Sequence, residues 1–211
     1  MKLYLVRHGE SESNRQGYFA GQIDTPLTAL GHEQARCVAA FFRDIDVEAV
    51  YASSLSRAME TARPTAEQHG LPVIPEAGMR EVAAGDWEGM PFPDLPLRYP
   101  EEYAVWNTDI GNVRFPNGET MEEAALRAQE ALRRIAGAHP DGTVVVASHG
   151  GIIRALLALW EYGSVQAMQH AGWAPNASVS EISCENDAFR VVRSGMVEHL
   201  GNLVTELPKT L

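Results

Sequence analysis

Residues 3–10 read LYLVRHGE, a short apolar run that breaks at a His-Gly pair. An apolar run of this length ending in a turn predicts a buried β-strand. Residues 144–150 read VVVASHG and repeat the arrangement. Their unbroken β-branched run is typical of a strand that is covered on both faces. Each of these two predicted strands is therefore followed by a histidine.

Helical patterns alternate with further short strands along the chain. A second brief strand is predicted at 49–52 and a weaker third one at 73–74, and the segments 178–184 and 189–194 predict a closing hairpin. Helices are predicted after Thr28, from about 54 to 69, from 119 with a Thr120–Glu123 capping box, and over 152–162. In the first helix the periodicity places Leu30, Cys37, Phe41 and Ile45 on one apolar face. This alternation predicts an α/β fold, a three-layer sandwich whose mostly parallel central sheet is flanked by helices.

Residues 82–118 break the alternation. They contain five prolines, two tryptophans and little periodicity, so we interpret them as a small cap inserted over the sheet edge. Trp87 and Trp106 could line a substrate wall or pack beneath the insertion itself. With no linker or repeat elsewhere, residues 1–211 are expected to form a single domain.

The charge balance limits the partners. The chain contains 17 Lys and Arg and 28 Asp and Glu, which gives a formal net charge of −11. Such a charge repels nucleic acid and anionic lipid. We therefore expect no nucleic-acid and no membrane partner. The first apolar run is too short for a secretion signal, and two distant cysteines indicate reduced thiols, so a cytoplasmic protein is expected. A homodimer is left open.

Chemistry is expected at one edge of the sheet. The carboxyl ends of parallel strands converge there, even when the residues that follow them are far apart in sequence. This rule collects two arginines, two histidines, a carboxylate and a glycine: Arg7, His8, Arg57, Glu81, His149 and Gly150. Helix N-termini predicted at Gly150 and near Ser54 add partial positive charge. The assembly suits a phosphate group.

The same residue types suit phosphoryl transfer. One imidazole can attack phosphorus if its other nitrogen is held as a donor, while two guanidinium groups bind the non-bridging oxygens. A nearby carboxylic acid can protonate the departing alkoxide, for which Glu81, Asp86 and Glu88 are candidates. Neither a metal nor a cofactor is expected, since His32-Glu33 does not continue into a zinc motif.

Four motifs together resemble the histidine phosphatase superfamily, the phosphoglycerate mutase-like fold. They are RHGE at 7–10 with Asn14, SLSRAMETA at 54–62, Glu81, and SHGG at 148–151. The resemblance implies that His8 is the phosphorylated nucleophile and that Glu81 is the proton donor. It further implies a phosphate pocket of Arg7, Arg57 and His149, with Asn14 as another donor and with Gly21, Gln22 and Gly150 near the substrate.

Departures from the mutase pattern favour hydrolysis. Mutases of this family usually carry Trp before the Asn, a Gly-Trp in the next loop and a longer basic insertion. Here Ser13 precedes Asn14, and residues 81–89, EVAAGDWEG, look like the phosphatase branch. The sequence thus predicts a metal-independent phosphomonoester hydrolase for a small soluble metabolite. A phosphoglycerate mutase-type isomerase and a non-catalytic phospholigand-binding protein are the alternatives.

Overall fold

The computed structural model describes residues 1–205 and shows a mixed sheet of six strands flanked by helices. The strands are β1 (Lys2–Arg7), β2 (Ala49–Ser53), β3 (Val73–Glu76), β4 (Thr143–Ser148), β5 (Val179–Glu185) and β6 (Ala188–Met196). Their order is β3-β2-β4-β1-β5-β6, with the first four parallel and the β5–β6 hairpin antiparallel. The predicted α/β sandwich with a mostly parallel sheet is confirmed.

Seven α-helices occur among the described residues. They are α1 (Glu12–Gln16), α2 (Ala29–Phe41), α3 (Ser56–Gln68), α4 (Leu95–Arg98), α5 (Pro100–Thr108), α6 (Met121–Ala138) and α7 (Gly150–Tyr162). None of these helices combines the length and apolar character needed to cross a bilayer.

The alternation of side chains along β1 builds the three layers. Leu3 and Leu5 face one side of the sheet and join a buried cluster that includes the apolar stripes of α6 and α7. Tyr4 and Val6 face the other side and join the apolar residues of α2 and α3. A strand buried on both faces therefore needs the continuous apolar run that residues 3–6 supply.

Strand register fixes which residues meet at the functional edge. Arg7 of β1 pairs with Ser148 of β4, so the residues that follow these strands lie side by side. The antiparallel strand β5 places its first residue, Val179, opposite Val6. The loop before β5 therefore reaches the same edge as the ends of the parallel strands.

The predicted apolar face of the first helix lies beside its most buried face, and Cys37, Phe41 and Ile45 pack half-buried against the core. The helix ends at Phe41, before Ile45, and its buried residues are Gly31, Gln34, Ala35, Val38 and Ala39. Leu30, Cys37 and Phe41 are only half-buried. Small side chains face inward because α2 packs closely against the loop that carries His8, where a Cβ on Gly9 would come within 2.6 Å of Gly31 O.

Residues 82–118 form 3-10 turns and the helices α4 and α5 around an aromatic cluster. Trp87 is fully buried and makes edge-on contacts with Phe19, Trp106 and Phe115, with ring centroids 5.1–6.0 Å apart. Trp87 thus packs within the insertion, whereas Trp106 belongs both to this cluster and to a cleft described below. The cap role of residues 82–118 stays a prediction. The single domain over residues 1–211 also stays a prediction, and residues 206–211 lie outside the described residues.

Two helix glycines give a matched test of the packing against the His8 loop. A Cβ at Gly31 would overlap the carbonyl oxygen of Glu10, whereas one at Gly137 in α6 meets nothing within 4 Å. We expect Gly31→Ala to lower the free energy of unfolding by about 1–3 kcal/mol. Gly137→Ala should instead raise it by roughly 0.5–1 kcal/mol, because alanine favours helix. Urea titrations measure both, and equal stabilities for the two variants would contradict the packing.

Candidate active site

The ends of three parallel strands bring the predicted residues together. Arg7 ends β1 and His8 follows it, His149 follows β4, and Arg57 lies in the first turn of α3, just after β2. The rings of His8 and His149 have centroids 5.1 Å apart. Arg7, His8, Arg57 and Glu81 line one cleft, and His149 lies buried with its ring beside that of His8.

The main chain orients the His8 ring. Its Nδ1 lies 2.7 Å from Gly9 O, and because a carbonyl only accepts, this contact assigns the ring proton to Nδ1. Nε2 therefore carries the lone pair. The His8 backbone is held as firmly, since its N–H donates to Ser148 O at 2.9 Å and its carbonyl accepts from Ala177 N at 3.1 Å.

Two buried guanidinium groups lie beside this ring. Arg7 donates to Ala174 O at 2.6 Å, and Arg57 donates to Gly21 O and Ile23 O at 2.8 and 2.9 Å. Among the described residues neither arginine forms a salt bridge, and the buried Nε of Arg7 has no partner. Backbone carbonyls thus hold both cations without neutralising them, which leaves their charge for an anionic ligand.

His149 is fully buried and hydrogen-bonded on one side only. Its Nε2 lies 2.7 Å from Ser53 Oγ, which in turn accepts from Leu55 N at 3.4 Å. The serine hydroxyl can donate to Nε2, and in that tautomer the imidazole proton is on Nδ1. Within residues 1–205 that Nδ1 has no partner. It is an unused donor next to His8.

The electrostatics favour neutral imidazoles. Burial lowers the pKa of His8 well below its ordinary value, and the positive charges of Arg57 and Arg7 lower it further. Burial likewise lowers the pKa of His149, with the same arginines adding to the effect. Burial also lowers the pKa of Arg7, to about 10, although the charge of Glu81 opposes that change. A neutral imidazole thus lies next to two charged arginines at His8.

Glu81 is the one of the three candidate acids that lines the cleft. Its Oε1 accepts from Val82 N and Ile152 N at 3.0 and 3.1 Å, and its Oε2 accepts from Gly151 N at 3.1 Å. The carboxylate thus caps the N-terminus of α7. Glu88 instead binds Gln22 N and Ala84 N, and Asp86 binds the Asn117 side chain at the surface.

The predicted substrate-contacting residues divide into two groups. Asn14, Gly21 and Gly150 line the cleft. Asn14 Oδ1 accepts from Ser11 N and Asn176 Nδ2, both at 3.1 Å, which turns its amide nitrogen away from them. Gln22 is not among the lining residues, because its side chain donates to Glu81 O at 3.0 Å. Its contact with substrate stays a prediction.

The predicted free helix N-termini are already occupied. Glu81 takes amide groups of α7, and Asp24 accepts from Ser56 N at 2.8 Å at the start of α3. The positive charge of the cleft therefore comes from Arg7 and Arg57 more than from these helix ends.

A loop that the sequence reasoning missed completes the site. Asn176, buried before β5, donates its amide to His8 O and Asn14 Oδ1, each at 3.1 Å. The same loop supplies Ala174 O to Arg7 and places Trp173 on the cleft wall. The sequence feature that could have revealed this loop is the predicted antiparallel hairpin, because the segment leading into a reversed strand reaches the edge where parallel strands end. Aromatic residues before and within the insertion complete the wall: Tyr18, Phe19, Phe92 and Trp106.

The chain belongs to the histidine phosphatase superfamily. The family model for branch 1 of that superfamily matches residues 3–196. This span covers all four motifs and the sheet, so the resemblance predicted from the sequence is confirmed. No group of three metal-ligating side chains occurs among residues 1–205.

Relatives and solved structures agree with this family. Phosphoserine phosphatase 1 of Hydrogenobacter thermophilus is 30% identical over 220 residues that span 100% of both chains. YhfR of Bacillus stearothermophilus superposes with a TM-score of 0.90 at 27% identity, covering 94% of this chain and 98% of that one. A mycobacterial glucosyl-3-phosphoglycerate phosphatase in complex with VO3 superposes with a TM-score of 0.85 at 28% identity, covering 93% of this chain and 99% of that one.

The hydrogen bonds of Asn176 make a testable prediction. Asn176→Asp replaces a donor with an acceptor that faces His8 O and Asn14 Oδ1. We expect it to lower the free energy of unfolding by about 1–3 kcal/mol, because buried acceptors lose their partner. The kcat of phosphate-ester cleavage should also fall. Thr205→Val is the matched control, since it removes only the bond to the Asn176 oxygen. Unchanged stability and rate in Asn176→Asp would refute this role.

The pH profile tests the electrostatics around His8. Because its pKa is lowered, the neutral ring should persist as pH falls past the ordinary histidine value of about 6.5. The acid limb of kcat/KM should therefore lie below that pH. Arg57→Gln removes the main charge that lowers this pKa, so the limb should move to higher pH. Arg190→Gln, an exposed change on β6, should leave it in place, and an unmoved limb in Arg57→Gln would contradict the assignment.

Proposed function

We propose that this protein hydrolyses phosphate monoesters of small metabolites through a phosphohistidine at His8, without a metal. The observation that carries the proposal is the His8 Nε2 lone pair, fixed by the Gly9 carbonyl and flanked by two buried arginines that have no acidic partner among the described residues. A phosphoryl group is the ligand that two guanidinium groups and a nucleophilic imidazole suit together.

In the first half-reaction, His8 Nε2 attacks phosphorus and the bond from phosphorus to the ester oxygen breaks. Arg7 and Arg57 bind non-bridging oxygens, and the unused Nδ1–H of His149 donates to another as charge spreads over them. The leaving alkoxide takes a proton from Glu81.

In the second half-reaction, water attacks the phosphohistidine. Its oxygen forms the new bond to phosphorus as the phosphorus–nitrogen bond breaks, and His8 regains its lone pair. Glu81, now a carboxylate, receives the proton of that water, which restores the acid form. Inorganic phosphate leaves. The two halves return every side chain to its starting state.

Hydrolysis is favoured over transfer to a second hydroxyl. The relatives reported above are named as phosphatases for phosphoserine and glucosyl-3-phosphoglycerate, so a small phosphorylated metabolite is the substrate class that we propose. The mutase alternative and the non-catalytic alternative are separated by experiment.

Aryl phosphate release in EDTA is the first test. We expect turnover in the parent chain and a loss of at least about a thousandfold in His8→Ala. Glu81→Gln should slow an alkyl phosphate about a hundredfold or more while slowing p-nitrophenyl phosphate much less, because nitrophenolate leaves without a proton. Glu88→Gln is the matched control and should leave both rates nearly unchanged.

Three results would each decide against this proposal. No phosphate release at any pH between about 5 and 8, with a phospho-ligand still bound, would favour the non-catalytic alternative. Substantial conversion of 3-phosphoglycerate to its 2-isomer with a bisphosphate primer would favour the mutase. A trapped phosphoryl label on a residue other than His8 would overturn the nucleophile.

A further inference from the structure

A second, polar pocket adjoins the catalytic cleft. Trp106 and Trp173 line both, so the pocket and the cleft adjoin at these two indoles. The pocket is further lined by Asn107, Thr108, Ile110, Arg154 and Gln169. None of these five residues takes part in the phosphoryl transfer proposed above.

Arg154 is the only cation among the described residues that line this pocket. Its Nε donates to Ala171 O at 2.7 Å, and its guanidinium lies over Trp173 with Cζ 4.7 Å from the ring centroid. Within residues 1–205 its terminal nitrogens donate to no other group and it forms no salt bridge. Half-buried, it has a pKa that burial lowers to about 10. The chain thus keeps a desolvated, unneutralised cation here.

The position of Arg154 relative to the phosphate site follows from α7. Gly150, at the start of this helix, borders the cleft, and Arg154 is one turn later on the same face, about 6 Å along the axis. Trp173 connects the two positions. A Cβ on Gly150 would lie 3.2 Å from both the Trp173 ring edge and the Arg7 guanidinium. Trp173 therefore borders both positions on α7, the one next to Arg7 and the one that carries Arg154.

We propose that this pocket is a subsite for a carboxylate on the leaving group, so that the preferred substrates are phosphomonoesters bearing a second, singly charged anion. The inference rests on the proposed function for the phosphate end only. The Asn107 amide nitrogen donates one N–H to Tyr103 O and that of Gln169 lies 3.4 Å from His170 Nε2, which leaves a second N–H on each. A single guanidinium with these amides beside it matches a planar monoanion. The two buried arginines of the cleft match the more highly charged phosphoryl group.

A purely structural role for Arg154, holding Trp173 in place, makes a different prediction. In that case its loss would weaken every ligand of the cleft to the same degree. A subsite instead weakens only the ligands that carry the carboxylate. Two compounds separate these roles: 3-phosphoglycerate and glycerol 3-phosphate, which differ by a carboxylate in place of a hydroxymethyl group.

The experiment measures calorimetric Kd values of both compounds on the His8→Ala chain, where no turnover complicates binding. We expect 3-phosphoglycerate to bind more tightly than glycerol 3-phosphate. Adding Arg154→Gln should weaken 3-phosphoglycerate about tenfold or more, because a charge-assisted hydrogen bond is lost, and glycerol 3-phosphate by less than about threefold. Arg154→Lys should recover part of the difference. Arg190→Gln, an exposed change of equal charge, should alter neither.

If Arg154→Gln weakened the binding of the two compounds equally, the subsite would be overturned. The same would follow if the His8→Ala chain bound both compounds equally. Hydrolysis of p-nitrophenyl phosphate by the chain with His8 intact is assayed separately. If that hydrolysis is absent while the Arg154-dependent preference is present, the proposed function fails and the subsite stands. If hydrolysis occurs without the preference, the reverse holds.

Discussion

The structure around the site depends on keeping two guanidinium charges buried without a carboxylate in direct contact. Taking an unpaired cation out of water is costly, so each group needs other acceptors. Arg7 uses Ala174 O, and Arg57 uses Gly21 O and Ile23 O. These carbonyls belong to two loops far apart in sequence. Because the loops supply oxygens with no net charge, the cations stay available to a phosphoryl group, and the pKa of the His8 ring between them is kept low.

This constraint explains why so much loop backbone is fixed at one edge of the sheet. Gly21 adopts a positive φ of 50°, and a Cβ there would overlap Glu88, so only glycine lets its carbonyl reach Arg57. Thr61, one turn after Arg57, accepts from Gly9 N at 3.0 Å and so connects α3 to the loop that carries His8. Asn176 joins that loop to the segment before β5. Each of these residues acts on the reacting groups through another residue.

Much of this arrangement could be predicted from the sequence, because it follows from local pattern and a topological rule. The apolar runs before His8 and His149 specify buried strands, and parallel strands end at a common edge, which brings Arg57 and Glu81 to the same place. The buried face of α2 could not be predicted, since contact with the His8 loop selects Gly31 and Ala35 over the larger Leu30 and Phe41. The role of Asn176 was hidden for a similar reason: it depends on a reversed strand, not on a motif.

The charge distribution also bears on which phosphate esters can reach His8. The chain carries a net charge of −11, yet the cleft concentrates two buried arginines at one point. At physiological ionic strength a field from exposed charges is largely screened beyond about 8 Å, so attraction is confined to the cleft while the acidic surface repels extended polyanions nearby. The small phosphate ester that we propose as substrate meets little of that surface, whereas a long polymer of phosphates would meet more of it. Acidic composition and a cationic site are therefore compatible.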